Sequence, residues 1–232
     1  MERGEERKEP IVISLGGSLV VPDGIDALFL KQFKSVIDEY VEKEGRFVIV
    51  VGGGRTTRRY QEAARSVRPL TDEDADWLGI HGTRLNAHLL RTIFIDSAHP
   101  KIFSSPNDDM RFDEPIAVGA GWRPGFSTDY VAASIAEQIG AHRVVNLSNI
   151  DYAYDKDPRA YRDAKPIARI FWPEYRKLIP PAWTPGLNVP FDPIASKKAE
   201  GLGLEVAIMN GHNLENFKYY LDGKECIGTV IS

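Results

Sequence analysis

Three short apolar runs that each end in glycine constrain this chain more than any other feature. Ile11-Val12-Ile13-Ser14-Leu15 closes on Gly16-Gly17, Phe47-Val48-Ile49-Val50-Val51 on Gly52-Gly53-Gly54, and Ile116-Ala117-Val118 on Gly119-Ala120-Gly121. Apolar residues at consecutive rather than alternate positions predict strands buried on both faces, as in a parallel sheet covered by helices. Leu30, Phe33, Val36, Ile37, Tyr40 and Val41 recur with helical spacing, and Gly45 stands where a helix C-terminal glycine is expected. Further helices are predicted from near Thr56, over residues 72–94, and over the segment that sets Val131, Ala132, Ile135, Ala136 and Ile139 on one face before Gly140. Residues 101–103, 144–147, 205–209 and 227–231 read as strands, and 196–200 and 214–221 as short helices. This alternation specifies an α/β fold, a three-layer αβα sandwich with a mostly parallel central sheet. Pro180, Pro181, Pro185, Pro190 and Pro193 mark a long irregular surface loop.

With 232 residues the chain suits a single domain over residues 11–232, preceded by a charged tail at residues 1–10. No run approaches the ~18 apolar residues of a membrane span, and the tail has no apolar stretch like that of a signal peptide. A cytoplasmic location is therefore expected. The lone Cys226 excludes an internal disulfide and a cysteine metal cluster. His81, His88, His99, His142 and His212 show no zinc-ligand spacing. The formal net charge of −4 gives no general attraction for nucleic acid, so a bound polyanion must meet a local basic site.

The glycine turns are the candidates for that site. In open α/β sheets ligands bind beyond the carboxyl ends of strands, and glycine lets backbone amides approach phosphate closely. Any one turn alone is more simply a tight strand-to-helix passage; three together favour a ligand with several phosphates. Neither G-x-x-x-x-G-K-[ST] nor G-x-G-x-x-G occurs, so a P-loop and a dinucleotide fingerprint are both unsupported. There is also no G-x-S-x-G elbow. Arg58, one helical turn beyond Gly54, can fork onto phosphate oxygens, or belong with Arg55 and Arg59 to a solvated basic face. Asp129, early in its helix, can favour the helix dipole or orient a lysine or magnesium near a transferred phosphate. Lys197 alone is an ordinary surface charge. Asp151, Asp155 and Asp157 with Tyr154 form an acidic turn that serves either as a turn or as a holder of adenosine.

Taken in order, several segments resemble the uridylate kinase branch of the amino-acid kinase superfamily, especially its archaeal type. They are Leu15-Gly16-Gly17-Ser18-Leu19, Val51-Gly52-Gly53-Gly54 with Arg58 and Tyr60, Asp76-Trp77-Leu78-Gly79-Ile80, and Thr83-Arg84-Leu85-Asn86-Ala87. Pro124-Gly125-Phe126-Ser127-Thr128-Asp129, Asn149-Ile150-Asp151 with Tyr154-Asp155-Lys156-Asp157-Pro158, Asp192-Pro193-Ile194-Ala195 with Lys197, and Gly228-Thr229 complete the set. The resemblance implies transfer of the ATP γ-phosphoryl to UMP with magnesium, a step toward CTP, by a homohexamer. It implies ATP phosphates at Gly17, Ser18, Gly54 and Arg58, and the adenosine part at Ser148, Asn149, Tyr154 and Asp157. UMP would lie at Gly53, at Asp76 through its ribose, and in the loop of Trp122, Arg123, Pro124, Gly125, Phe126, Ser127 and Thr128. Lys197 would steady the moving phosphoryl group and Asp129 would orient it.

Three departures from the pattern stand out. Ser14 occupies a position where many members carry lysine, Tyr152 follows Asp151 where glycine is usual, and Ala120 replaces a common glycine. Tyrosine does not adopt glycine's backbone range cheaply, so the loop at 151–158 is expected to be reshaped. Ser14 and Tyr152 also motivate a competing reading, a non-catalytic nucleotide-binding or storage protein on the same scaffold. A third reading is a kinase for another small phosphate or carboxylate.

Overall fold

The computed structural model describes residues 8–183, 187 and 189–232. Residues 1–7 of the charged tail and Pro185 of the proline-rich loop lie outside the described residues. The strands are β1 (Ile11–Leu15), β2 (Phe47–Val51), β3 (Ala98–Phe103), β4 (Ile116–Gly119), β5 (Arg143–Ser148), β6 (Ala153–Tyr154), β7 (Pro166–Ile167), β8 (Arg169–Ile170), β9 (Glu205–Asn210) and β10 (Thr229–Ile231). The helices are α1 (Gly17–Val20), α2 (Ala27–Val41), α3 (Gly54–Val67), α4 (Asp72–Ile93), α5 (Thr128–Ile139), α6 (Trp172–Leu178), α7 (Pro193–Leu202) and α8 (Leu214–Leu221).

Eight strands form one sheet in the order β3-β4-β2-β1-β5-β9-β10-β8, and β6 pairs with β7 in a separate small ribbon. Every pairing in the large sheet is parallel except β9 with β10. The alternating side chains of the central strands feed two apolar layers. Ile13, Leu15, Ile49 and Val51 pack with α2 and α8 residues such as Phe33, Ile37 and Phe217. Val12, Val48, Val50 and Val144 pack on the other face with Val131, Ile135, Ala195 and Tyr175 from α5, α7 and α6. Burial on both sides is why these strands lack a polar alternation. Each Leu-, Ile- or Phe-sized side chain so buried contributes about 1.5–3 kcal/mol. The edge strand β3 keeps His99, Pro100 and Lys101 outside the deep core, as an edge permits.

Several sequence expectations need correction. Gly45 is not the left-handed residue after α2; Glu44 takes that backbone, with φ of 64°, and the Gly45 N–H returns to the Tyr40 carbonyl. The proline-rich segment is not wholly a surface loop, because Phe191, Asp192 and Pro193 are buried. The short helix expected at 196–200 is longer and starts at Pro193, a first-turn position that needs no N–H donor. Helix α6 and the β6–β7 ribbon were not expected. The last strand starts later than expected, because the Asn216 side chain takes both the N–H and the carbonyl of Ile227 at 2.7 Å.

Candidate active site

Neighbouring strands β1 and β2 deliver their glycine turns to the same place. A Cβ on Gly17 would lie 2.2 Å from the Gly54 nitrogen, and one on Gly54 would lie 2.2 Å from the Gly17 carbonyl oxygen. Gly54 also has φ of +62°, a backbone that disfavours any side chain. Glycine at both positions is thus demanded by the contact of the two turns, whatever they hold. Asn86 of α4 fixes the second turn by donating to the carbonyls of Gly52 and Gly53 at 2.8 and 3.2 Å. Gly53 is closed off differently: a Cβ there would collide with the Thr57 hydroxyl.

The start of α3 has no side-chain cap and no acidic residue in its first turn. Arg55 of that turn donates its N–H to the Val21 carbonyl at 2.9 Å, and the helix dipole favours an anion at the N–H groups that remain. Arg58 reaches back from this helix and donates to Ser18 Oγ at 3.3 Å. Gly17, Ser18, Gly54 and Arg58 are therefore one cluster. Ser148 ends β5 next to this cluster, with its Cα 3.5 Å from a Cβ built on Gly16, and its buried hydroxyl has no partner among the described residues. An orphaned buried hydroxyl is uncommon and suits a site that a ligand completes.

Beneath the turns lies a polar group inside the apolar layer. Ser14 of β1 and Asn146 of β5 are paired in register, and both donate to Asp129 Oδ1, at 2.7 and 2.9 Å. Burial pushes Asp129 up to about 7; the nearby Asp192 charge adds to this, while the Ser14 hydroxyl, the Asp192 backbone N–H and the Asn146 amide oppose it. Burial raises Asp192 as well, opposed by the Ser127 hydroxyl and the first N–H groups of α7. Neither carboxyl forms an ion pair among the described residues. A half-buried and a buried carboxyl, neither with a counter-charge among the described residues, suit a site that receives a cation.

Helix α4 braces the loop before α5 at three points. Asp76 Oδ2 accepts the Gly125 N–H at 2.8 Å, Thr83 Oγ1 accepts the Gly121 N–H at 2.8 Å, and Arg84 Nη2 donates to the Trp122 carbonyl at 3.1 Å. Burial raises Asp76 and the Asp72 charge adds to this, against the Gly125 hydrogen bond. The loop carries an aromatic row. Trp122 and Phe126 have ring centroids 5.0 Å apart and Phe126 and Tyr130 4.5 Å. The Arg123 guanidinium lies 4.1 Å over Trp122 and 5.0 Å over Phe126. Pro124 and Gly125 form the turn, with φ of +87° at Gly125, and Ser127 caps α5, whose first residue is Thr128.

The remaining residues are less tightly joined to this centre. Lys197 is exposed on α7 and has no hydrogen bond or ion pair among the described residues. It is tied to the centre through the start of its helix, where Asp192 meets Ser127. Asn149 is exposed. Asp157 binds Arg159 within its own turn, and Arg159 lowers its pKa. Tyr154 meets Tyr152 edge-on. Tyr152 needs no glycine-like backbone, since Glu44 is the only described non-glycine residue with positive φ. Ala120 is fully buried and continues the β4 ladder to Phe103.

Asn146, Asp192, Thr83 and Arg84 had no role assigned from the sequence. Asn146 carried a usable signal, a lone amide in the apolar run Val144 to Leu147 on the same parity as Ser14. A cavity of about 720 Å³, lined in part by Arg46, Asp109, Met110 and Phe112, opens at the opposite, amino-terminal end of the strands and shares no residue with this site.

A parallel sheet with convergent glycine turns and an anion-receptive helix start defines a phosphate-handling α/β protein. The chain belongs to the amino acid kinase family, whose profile matches residues 9–210. It is 35% identical over 231 residues to the uridylate kinase of Hyperthermus butylicus, covering 97% of this chain and 99% of that protein. It is 36% identical over 211 residues to the uridylate kinase of Methanocaldococcus jannaschii, covering 87% and 90%. The crystal structure of uridylate kinase from Archaeoglobus fulgidus superposes with a TM-score of 0.78 at 30% identity, covering 96% of this chain and 100% of that one. UMP kinase from Bacillus anthracis, at 18% identity and a TM-score of 0.77 over 97% and 96% of the two chains, shares the fold.

Proposed function

We propose that this protein is a uridylate kinase, a nucleoside monophosphate kinase that moves the γ-phosphoryl of ATP to UMP and releases ADP and UDP. The observation that carries the reading is the convergence of the Gly17 and Gly54 turns with Arg58, beside a braced loop suited to an acceptor. Near full-length similarity to archaeal uridylate kinases supports UMP as that acceptor.

Phosphoryl transfer needs alignment and charge stabilisation more than covalent chemistry. The backbone amides at Gly17 and at the start of α3 hold donor phosphates, with Arg58 and Ser18 beside them. Asp76 and the loop of residues 122–128 hold UMP, and the aromatic row gives the base an apolar wall. The UMP phosphate already carries an attacking oxygen anion, so no strong base is required. Lys197 contributes positive charge where it grows most useful, around the equatorial oxygens of the moving group. Ser148, Asn149, Tyr154 and Asp157 take the adenosine part.

Magnesium, held by phosphates and at most one or two carboxylates, offsets phosphate charge in such reactions. Among the described residues no group of three or more ligating side chains forms a cage of its own. Asp129 is the carboxylate that fits, because it lies half-buried and forms no ion pair among the described residues. Ser14 here is a hydrogen-bond donor to Asp129 rather than a second cation, so Arg58, Lys197 and magnesium carry the positive charge between them. The same reading includes a homohexamer acting in the cytoplasm; among the described residues no helix is long and apolar enough to cross a membrane.

A non-catalytic nucleotide store has less support, since Tyr152 sits without strain and the similar proteins are kinases by name. A coupled assay of ADP release with UMP, CMP, AMP and GMP tests the assignment. UMP is expected to give the highest kcat/KM. Brisk phosphorylation of another acceptor with none of UMP would overturn it.

A further inference from the structure

Asp192 is 4% exposed and has no cation beside it among the described residues. A helix cap does not need such a group, because serine, threonine or asparagine caps as well without a buried charge. What the carboxylate adds is a second oxygen. Oδ1 accepts the N–H groups of Ile194 and Ala195, at 2.8 and 3.0 Å, and so caps α7. Oδ2 accepts the hydroxyl proton of Ser127 in a close contact. Ser127 Oγ in turn accepts the Tyr130 N–H at 3.1 Å and caps α5. The starts of the two helices are thus joined through two side chains.

The same stretch is clamped from behind. The buried Tyr175 hydroxyl accepts the Phe191 N–H at 2.8 Å and donates to the Phe191 carbonyl at 3.0 Å. Ser196 Oγ donates to the Asp192 carbonyl at 2.7 Å, and the Asp192 backbone N–H bonds to the Asp129 carboxyl. These bonds fix where α7 begins, and Lys197 stands in its second turn. Ser127 belongs to the loop that flanks the acceptor. The joint therefore sets the position of Lys197 relative to that loop.

We propose that Asp192 is a positioning residue: through Ser127 it registers helix α7, and with it Lys197, against the acceptor loop. This rests on the uridylate kinase reading. An exposed lysine with no partner of its own is held only by its backbone, so its usefulness depends on where its helix starts. A misplacement of about 1 Å costs on the order of 100-fold in rate where alignment is the catalytic device.

The test is a double-mutant cycle on the full chain with UMP and ATP. Asp192→Ser keeps a cap for α7 but is too short to reach Ser127. Asp192→Asn keeps both reaches. Expected with Lys197 present is a kcat loss of roughly 10- to 100-fold for Asp192→Ser, with KM for UMP and ATP moving by less than about three-fold. Asp192→Asn should recover kcat to within about three-fold of wild type. In a Lys197→Ala background, Asp192→Ser should cost less than about two-fold more, because its effect passes through the missing lysine. Losses that multiply in the double variant, or a change confined to KM, would overturn the proposal. A wild-type protein that does not phosphorylate UMP would overturn the function reading and this proposal with it, whereas UMP turnover with multiplying losses removes the role of Asp192 alone. If Asp192→Ser does not fold, the same cycle with Asp192→Thr, which also keeps a capping hydroxyl, decides the question by the same criteria.

Discussion

Two side chains carry the sharpest consequences. Lys197 has no partner to lose among the described residues, so Lys197→Ala should leave folding intact and strike the transition state. The expected result is a kcat reduced by roughly 100-fold with KM for UMP within about three-fold, measured by steady-state kinetics. Asp129 makes a different prediction. Its pKa is raised from 3.8 to about 7 by burial and by Asp192. A carboxyl so raised favours the folded state while protonated, and that stabilisation is lost as pH climbs from about 4 through about 7. Asp129→Asn cannot ionise and keeps an oxygen for Ser14 and Asn146. Chemical denaturation without nucleotide should find it more stable than wild type at pH 8, by on the order of 1–3 kcal/mol, with the difference shrinking as pH falls and closing near pH 4, where Asp129 is protonated in both the folded and the unfolded state. Of these residues, Lys197 was visible in the sequence only by resemblance, whereas Asp129 stood out in the first turn of its helix with capping and phosphate-site readings both open. Asn146 showed in the sequence only as a lone amide within an apolar run, and that signal gained its meaning when the neighbouring strand put Ser14 beside it.

At the scale of elements, the contact between two glycine turns is the feature that holds the site in shape. Gly54→Ala would force a side chain into a left-handed backbone and against the Gly17 carbonyl, 2.2 Å away. Gly140 has a similar φ of +68° with nothing within 4 Å of its missing side chain. The expected losses of stability are therefore more than about 3 kcal/mol for Gly54→Ala and about 1 kcal/mol for Gly140→Ala, read from denaturant midpoints. Strands apolar on both faces, and helices with a clear apolar stripe, could be read from the chain alone. The later third could not. Proline at the start of α7 signals a loop and a helix start equally, and α6 is too short to show a period. Strands β6, β7 and β8, two residues each, are set by long-range pairing that no local pattern records.

For the whole molecule, topology decides what meets. Placing β1 between β2 and β5 puts Gly17 against Gly54 and Ser14 against Asn146. The chain order of these segments was plain, but their adjacency in space came with the strand order. This adjacency serves to move a phosphoryl group rather than merely to hold a nucleotide. ATP labelled in its γ-phosphoryl group, incubated with the protein, UMP and magnesium, tests that claim directly. The account predicts label in UDP, matched one for one by ADP. Label remaining in ATP, or appearing only as free phosphate, while both nucleotides are bound, would contradict it.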